Sequence, residues 1–303
     1  MAMKYTISYL AATLLLLISM TAGAQALPFV AGEYNATSLG KAGADLVETK
    51  NTAFDVLSNA AAIAFAESKI DVEAGFTSWA PSGTIAVAGG SLSLGKIGVA
   101  AGLVQGTHTA YDVTNESGSV VGSFKPTDTQ VSAGISYKVL PFVSVGAKLG
   151  YATSKLSDKY SYGAVNADVM AMAKFGALKT AFGVKNLGTA VTSASGAKFA
   201  LPTHIALGAG YGMTLAEKHS IDALVDADYY LEGGIAIAAG VEYSMDNFVF
   251  VRGGYRYGGN SPIPSFASLG AGLNFKGCKL NLAYVLGSET MANTLSFGIG
   301  YSL

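Results

Sequence analysis

Apolar and polar positions alternate with a period of two along most of the chain after residue 66. The segment 142–151, FVSVGAKLGY, places valine, alanine, leucine and tyrosine on one face and serine, glycine and lysine on the other. Successive side chains of a β-strand point to opposite faces of a sheet, so this period predicts strands rather than helices. The chain contains fourteen such segments, at 69–79, 83–93, 96–109, 128–139, 142–155, 162–175, 178–187, 203–215, 218–230, 234–245, 247–258, 266–276, 278–288 and 293–303.

The residue types on the two faces favour a membrane barrel over a soluble β-sandwich, which would also alternate. One face is aliphatic with tyrosines near the strand ends, whereas the other is glycine, serine and scattered charge. That second face carries too few polar and charged side chains for the solvent-exposed surface of a soluble enzyme. Most segments have about ten residues or slightly more, the length that a tilted strand needs to cross a bilayer. The sequence therefore predicts an all-β fold: a 14-stranded antiparallel transmembrane β-barrel over residues 67–303, in the lipid bilayer of a Gram-negative outer membrane.

The amino terminus has the pattern of an export signal over residues 1–24. Lys4 precedes the apolar run 9–20, and Ala22-Gly23-Ala24 is the small-residue pattern that signal peptidase recognises before Gln25. The apolar run is well short of the roughly 20 residues that a spanning helix requires, which disfavours an uncleaved anchor. We expect cleavage of this signal peptide and a mature chain that begins near Gln25.

Residues 25–66, here called the hatch segment, lack sustained alternation and end in the helix-prone run 60–66. A 14-stranded barrel encloses more space than the roughly eight-stranded barrel that side chains alone can fill. We therefore expect the hatch segment to fold into the lumen as a plug. The alternative is a periplasmic arm, because chain termini are often loosely held.

Composition narrows the possible functions. The 303 residues include 38 glycines, close to double the usual share of about 7%. A hydrophobic content of 50% and a net charge of −1 argue against a disordered tail and against a basic nucleic-acid surface. Cys278 is the only cysteine, so an intramolecular disulfide cannot form.

The charged residues of the predicted strands gather on the lumen face. The only two arginines, Arg252 and Arg256, lie four apart in one strand. Two interpretations stay open: a site that recognises an anionic group through the arginine pair, and a set of ion pairs that holds wall and plug together. Strand parity places these further charged residues on the same side: Asp71, Glu73, Lys138, Lys148, Asp168, Asp222, Asp226, Asp228, Glu242 and Lys279.

No motif indicates catalysis, a cofactor or a metal. His108, His204 and His219 lie on different segments without ligand spacing, and no cysteine cluster accompanies them. Serines beside glycines lack the nucleophile-elbow pattern, and the glycine pairs lie inside strands. Three polar segments, 107–125, 187–201 and 258–265, are predicted to be extracellular or gating loops.

Nine short pieces occur in order along the chain: 39–44 (LGKAGA), Asn59-Ala60-Ala61, 65–69 (FAESK), 78–81 (SWAP), 182–188 (FGVKNLG), 201–202 (LP), 251–255 (VRGGY), 269–273 (LGAGL) and 280–284 (LNLAY). In this order they resemble the PorV/PorQ family of Bacteroidota outer-membrane proteins, which are similar to the FadL fatty-acid transporter barrels. The resemblance implies a 14-stranded barrel with an amino-terminal hatch, in which Asn59-Ala60-Ala61 stands where the family usually has Asn-Pro-Ala. It also implies a role in type IX protein secretion or in the passage of hydrophobic compounds.

Three functions stay open at this point. The first is a PorV/PorQ-type component of type IX secretion with a protein partner, although the short connections between strands leave little surface to grip a large cargo. The second is a FadL-like transporter of hydrophobic or amphipathic small molecules. The third is a purely structural outer-membrane protein.

Overall fold

The computed structural model describes residues 24–79, 83–288, 291 and 293–303. The predicted export signal, apart from Ala24, lies outside the described residues. The strands are β1 (Ile70–Trp79), β2 (Gly83–Leu94), β3 (Ile97–His108), β4 (Tyr111–Thr114), β5 (Val120–Phe124), β6 (Thr127–Leu140), β7 (Val143–Lys155), β8 (Ser161–Phe175), β9 (Leu178–Gly188), β10 (Val191–Thr192), β11 (Lys198–Phe199), β12 (His204–Ala216), β13 (His219–Tyr230), β14 (Gly234–Met245), β15 (Val249–Tyr257), β16 (Phe266–Phe275), β17 (Cys278–Leu286) and β18 (Leu295–Ser302).

Fourteen of these strands close into a single antiparallel barrel. Each strand pairs with its sequence neighbours in the wall, and β1 pairs with β18 over eight residues, from Asp71 with Ser302 to Ser78 with Leu295. Closure pairs the edges that the first and last strands would otherwise expose. The predicted fold is confirmed, and each predicted strand begins and ends within two residues of the observed one.

Two of the predicted loops contain short hairpins. β4 pairs with β5 inside 107–125, and β10 pairs with β11 inside 187–201. The β-branched pair Val120-Val121 is exposed in the first hairpin, so local β-propensity forms β4 and β5 without a buried face, whereas Val191 of β10 is buried. Both hairpins lie within polar segments, so the alternation of apolar and polar residues does not predict their strands.

The two ends of the barrel differ in their connections. Tight turns at 95–96, 141–142, 176–177, 217–218 and 276–277 lie at the end where β1 starts and the chain finishes, here called the short-turn end. The opposite, long-loop end carries the predicted loops and both hairpins. In outer-membrane barrels the short turns face the periplasm.

The outer surface of the wall is apolar. Leu149, Val169 and Leu269 are each more than half exposed. Their neighbours on the other face, such as Lys148 and Asp168, are buried. This polarity is the reverse of that of a soluble domain, and it suits a wall surrounded by lipid.

The hatch segment lies inside the barrel. It contains a 3₁₀ turn at Pro28–Ala31, the one-turn helix α1 (Ala36–Leu39) and a 3₁₀ helix at Ala60–Phe65. Asn59 caps the last of these: its Oδ1 accepts from the Ala61 N–H (3.0 Å), and its Nδ2 donates to the Leu46 carbonyl (2.7 Å). None of the helices in the described ranges is long and apolar enough to cross a membrane.

Glycine allows the hatch backbone to approach the wall directly. At Gly146, a Cβ atom would lie 2.3 Å from the Ala61 nitrogen, and at Gly254 it would lie 2.4 Å from the Lys41 carbonyl carbon. Both distances are too short for any side chain. Five lumen-facing glycines have a hatch backbone atom within 3.1 Å of the Cβ position: Gly89, Gly146, Gly240, Gly254 and Gly270. At five others the hatch atom within that distance belongs to a side chain: Gly98, Gly102, Gly134, Gly208 and Gly210.

We expect Gly254→Ala to destabilise the protein, because the added methyl group collides with the Lys41 backbone. Overpacking of this kind costs about 1–3 kcal/mol in the free energy of unfolding. Gly253→Ala is the matched control, since its Cβ would lie 3.8 Å from Leu269 on the outer face. Thermal unfolding of both purified variants checks the prediction; equal transition temperatures would contradict it.

Candidate functional site

A partly open cavity of about 820 Å³ occupies the long-loop end of the barrel. Its lining is largely apolar, and it combines the start of the hatch segment with β1–β3, β6–β8 and three loops. The described lining residues are Ala24, Gln25, Ala26, Leu27, Pro28, Phe29, Tyr34, Trp79, Gly83, Thr84, Ile85, Val104, Gly106, Thr107, His108, Pro126, Asp128, Ser154, Leu156, Tyr162, Val191, Ser193, Phe199, Pro262 and Ile263.

The cavity forms where the lumen-facing residues change character. Deeper in β2 and β3 these positions hold small residues, such as Gly89 and Gly102, whereas Ile85 and Val104 occupy them nearer the long loops. These two side chains belong to a buried cluster with Tyr34 and Phe54 of the hatch segment. The apolar lining therefore comes from both the wall and the hatch.

Two hydrogen bonds fix the hatch segment beside the cavity. The Tyr34 hydroxyl donates to the Phe29 carbonyl (2.8 Å), which closes the chain around the 3₁₀ turn. The Ala26 N–H donates to the Ala200 carbonyl (2.8 Å) in the loop before β12. The first residues of the hatch segment are thereby held at the long-loop end.

Charged side chains are nearly absent from the cavity. The described lining has one carboxylate, Asp128, whose Oδ2 lies 2.6 Å from His108 Nε2, and it has neither lysine nor arginine. An anionic ligand would therefore find no permanent cation there. Across the described residues, no group of three or more His, Cys, Asp or Glu side chains could hold a metal ion.

The two arginines lie in separate ion pairs. Arg252 Nε donates to Glu242 Oε2 (2.6 Å) and its Nη1 donates to Asn281 Oδ1 (2.9 Å), with the arginine and the glutamate almost fully buried. Arg256 Nη2 donates to Asp228 Oδ2 (3.2 Å). Both guanidinium groups therefore already have a carboxylate partner, as expected for the ion-pair interpretation. Recognition of an anion by this pair stays a prediction.

Three of the predicted lumen carboxylates contact the hatch segment. Asp226 Oδ2 accepts the backbone N–H groups of Asp45 (2.7 Å) and Leu46 (2.9 Å). Asp71 accepts the Thr52 N–H (2.8 Å), and Asp222 pairs with Lys50 (2.6 Å). These contacts attach the hatch to β13 and β1.

Other predicted charges pair within the wall. Lys148 lies 2.8 Å from Asp168 on the neighbouring strand. Lys279 bonds Asp71 and lies 3.8 Å from Glu73, and Asn281 Nδ2 is 3.4 Å from both Glu73 oxygens. The predicted hatch motif is also anchored to the wall, because Ser144 Oγ donates to the Ala61 carbonyl (2.7 Å). Ala60 is buried beside it.

The acids of the hatch segment fall into two groups. Burial raises the pKa of Asp55 well above its ordinary value, and the nearby Asp45, Glu48 and Asp71 raise it further; its Oδ2 has no hydrogen-bond partner. Burial likewise raises the pKa of Glu33. Burial acts in the same direction on Glu48, but Lys41 at 2.6 Å, Lys179 and the Lys50 N–H together outweigh it and hold the Glu48 pKa well below its usual range.

Sequence reasoning did not identify the cavity. Trp79, His108, Asp128 and Ile263 all line it, yet none was singled out as a site residue. A usable signal was present, because the large aliphatic residues Ile85, Val87 and Val104 occupy lumen-facing positions in the halves of β2 and β3 nearer the long loops. Recognising it requires knowing which face is the lumen and which end carries the loops.

Solved structures with the same fold include transporters for hydrophobic compounds. The P. putida toluene transporter TodX is 14% identical, with 89% of this chain and 98% of TodX covered and a TM-score of 0.58. The Ralstonia pickettii toluene transporter TbuX is 10% identical, with coverages of 90% and 98% and a TM-score of 0.59. A Pseudomonas aeruginosa FadL homologue is 11% identical, with coverages of 89% and 98% and a TM-score of 0.56.

These similarities concern the fold. The chain is a closed barrel of fourteen antiparallel strands, the fold that these FadL-type outer-membrane barrels share. No protein-family model matches the sequence, and no curated protein matches it either. The resemblance to the PorV/PorQ family receives no support from these comparisons and stays a prediction.

We expect Asp55→Asn to reduce the pH dependence of stability. A carboxyl group whose folded-state pKa is raised contributes stability that is complete below its unfolded pKa of about 4 and is lost as the pH rises through the folded value. The asparagine amide does not titrate, so the variant should not lose stability in this way as the pH rises. At neutral pH it should be more stable than the parent, because the amide has no charge to bury; each unit by which folding raises the Asp55 pKa corresponds to about 1.4 kcal/mol.

Melting temperatures measured from pH 4 to pH 9 test this expectation. Asp246→Asn is the control, because Asp246 forms an exposed ion pair with Lys218 (3.3 Å). Parallel curves for the parent protein and Asp55→Asn would show that Asp55 does not titrate with folding.

We expect Arg252→Gln to lower stability and to leave any uptake of hydrophobic compounds unchanged. The substitution leaves Glu242 buried without its cation, which typically costs about 3–5 kcal/mol. Lys218→Gln breaks an exposed pair and should cost less than about 1 kcal/mol. Lost uptake at an unchanged melting temperature would instead favour anion recognition by the arginines.

Proposed function

We propose that this protein is a non-enzymatic outer-membrane transporter that binds a small hydrophobic compound in the cavity at the long-loop end and conveys it across the outer membrane. The observation that carries the proposal is the cavity itself. Its volume of about 820 Å³ lies within the usual range of small-molecule sites, roughly 300–1,000 Å³, and its lining is mainly apolar. The toluene transporters TodX and TbuX have the same fold.

Packing below the cavity argues against an open aqueous channel. Hatch residues such as Leu39, Val47 and Ile63 are almost completely buried between the hatch and the wall. A compound that enters the cavity therefore requires either a displacement of the hatch segment or an opening in the wall to leave it. Such a route suits compounds that partition into apolar surroundings more than it suits ions.

Export and signal cleavage before Gln25 belong to the proposal. Gln25 and Ala26 both line the cavity. Cleavage at the predicted position would thus place the mature amino terminus beside the proposed ligand. A type IX secretion partner has no specific contact surface in its favour and stays a prediction.

We expect Val104→Phe to reduce uptake of toluene about tenfold, which corresponds to roughly 1.4 kcal/mol. Val104 is buried and lines the cavity, so a larger ring at this position occupies ligand space. Leu103→Phe is the matched control, since the adjacent Leu103 is 41% exposed on the outer face. Uptake of radiolabelled toluene by cells that express each variant at equal level provides the measurement.

Equal uptake by the two variants and the parent protein would contradict a role for the cavity. In that case the structural interpretation, a barrel with no passage, would be favoured.

A further inference from the structure

Among the described lining residues of the cavity, His108 and Asp128 form a hydrogen-bonded pair that includes the one carboxylate. His108 ends β3 and Asp128 lies near the start of β6, and both residues share the lumen parity of their strands. His108 Nε2 lies 2.6 Å from Asp128 Oδ2. The imidazole side chain is 44% exposed, whereas the carboxylate is 14% exposed. The imidazole ring of His108 is therefore the member of the pair that a ligand can reach, and the Asp128 carboxylate is the more buried member.

Neighbouring side chains hold the pair in place. Gln105 Nε2 donates to the Asp128 carbonyl (3.1 Å), and Thr129 Oγ1 donates to Gln105 Oε1 (2.8 Å). These bonds join β3 to β6 at the backbone of Asp128, from the face of the wall opposite the lumen. The position of Asp128 is thus fixed by the wall, as a recognition group requires.

The hydrogen-bonding capacity of the pair limits what a ligand can offer. With the Nε2 proton donated to Asp128, the neutral imidazole has an acceptor at Nδ1 and no further N–H to donate. A ligand carboxylate would meet the Asp128 charge with no lysine or arginine in the described lining to offset it. A ligand O–H group satisfies the Nδ1 acceptor without burying a charge.

We propose that the compound taken up carries a hydroxyl group, as in an alicyclic or aromatic alcohol, and that His108 is the residue that selects it. This inference rests on the proposed function of the cavity. The apolar body of the ligand lies against side chains such as Ile85 and Val104, and its O–H donates to His108 Nδ1. Asp128 is a positioning residue that orients the imidazole and fixes its tautomer.

Trp79 provides a native probe of binding. It is the only tryptophan of the chain, and it lines the same cavity. Its fluorescence, excited at 295 nm, can be titrated in detergent with ligands that do not absorb there. Cyclohexanol and methylcyclohexane have similar size and differ in the hydroxyl group; cyclohexanecarboxylate and cyclohexylamine report the two charged alternatives.

We expect His108→Phe to weaken cyclohexanol binding about tenfold, as for the loss of one buried hydrogen bond, and to leave methylcyclohexane binding within about twofold. Asp128→Asn retains the shape of the side chain but not its charge, and it should lower the preference for cyclohexanol by a smaller factor. His219→Phe is the control, because His219 bonds Tyr243 on strands β13 and β14 away from the cavity. It should change neither affinity.

Equal changes for cyclohexanol and methylcyclohexane in His108→Phe would overturn the hydroxyl assignment while leaving the cavity as a hydrocarbon site. A dependence on His108 or Asp128 shown instead by cyclohexanecarboxylate or cyclohexylamine would overturn it as well. If none of the four compounds quenched Trp79 in the parent protein, the proposed function would fail together with this inference.

Discussion

Direct contact between the hatch backbone and a glycine-lined wall is the constraint on which the rest of this structure depends. A 14-stranded barrel is too wide for its own side chains to fill, so a second layer of chain must occupy the lumen. That layer fits because the wall has no side chain where the hatch main chain passes, as at Gly146 and Gly254. The high glycine content and the thin polar face of the strands have this packing as their common cause.

The buried charges follow from the same packing. Once the lumen is filled, a wall carboxylate can no longer be solvated and needs a partner inside the protein. Asp226 finds backbone N–H groups of the hatch segment, and Arg252 finds Glu242. The lumen charges thus pair largely within the wall, and three carboxylates, Asp71, Asp222 and Asp226, attach the hatch segment to it.

The period of two was sufficient to predict the fourteen strands of the barrel wall and the face on which Arg252 and Arg256 lie. It could not predict the partners of the lumen-facing charges. The alternation shows which face of the wall a side chain lies on, but not which residue it contacts: Asp226 accepts a hydrogen bond from the Asp45 N–H, 181 positions away. The cavity was missed for a related reason. Ile85 and Val104 become neighbours only when the barrel closes and the hatch segment enters it, and neither event is encoded locally.

A disulfide cross-link between hatch and wall tests this packing most directly. Ala60 Cβ lies 3.3 Å from the Cβ position of Gly134, so Ala60→Cys with Gly134→Cys should cross-link on oxidation in a Cys278→Ser background. Ala60→Cys with Ala133→Cys, in which Ala133 is exposed on the outer face, should not. Equal yields in the two pairs, or no cross-link in the first, would contradict a hatch docked on the glycine wall.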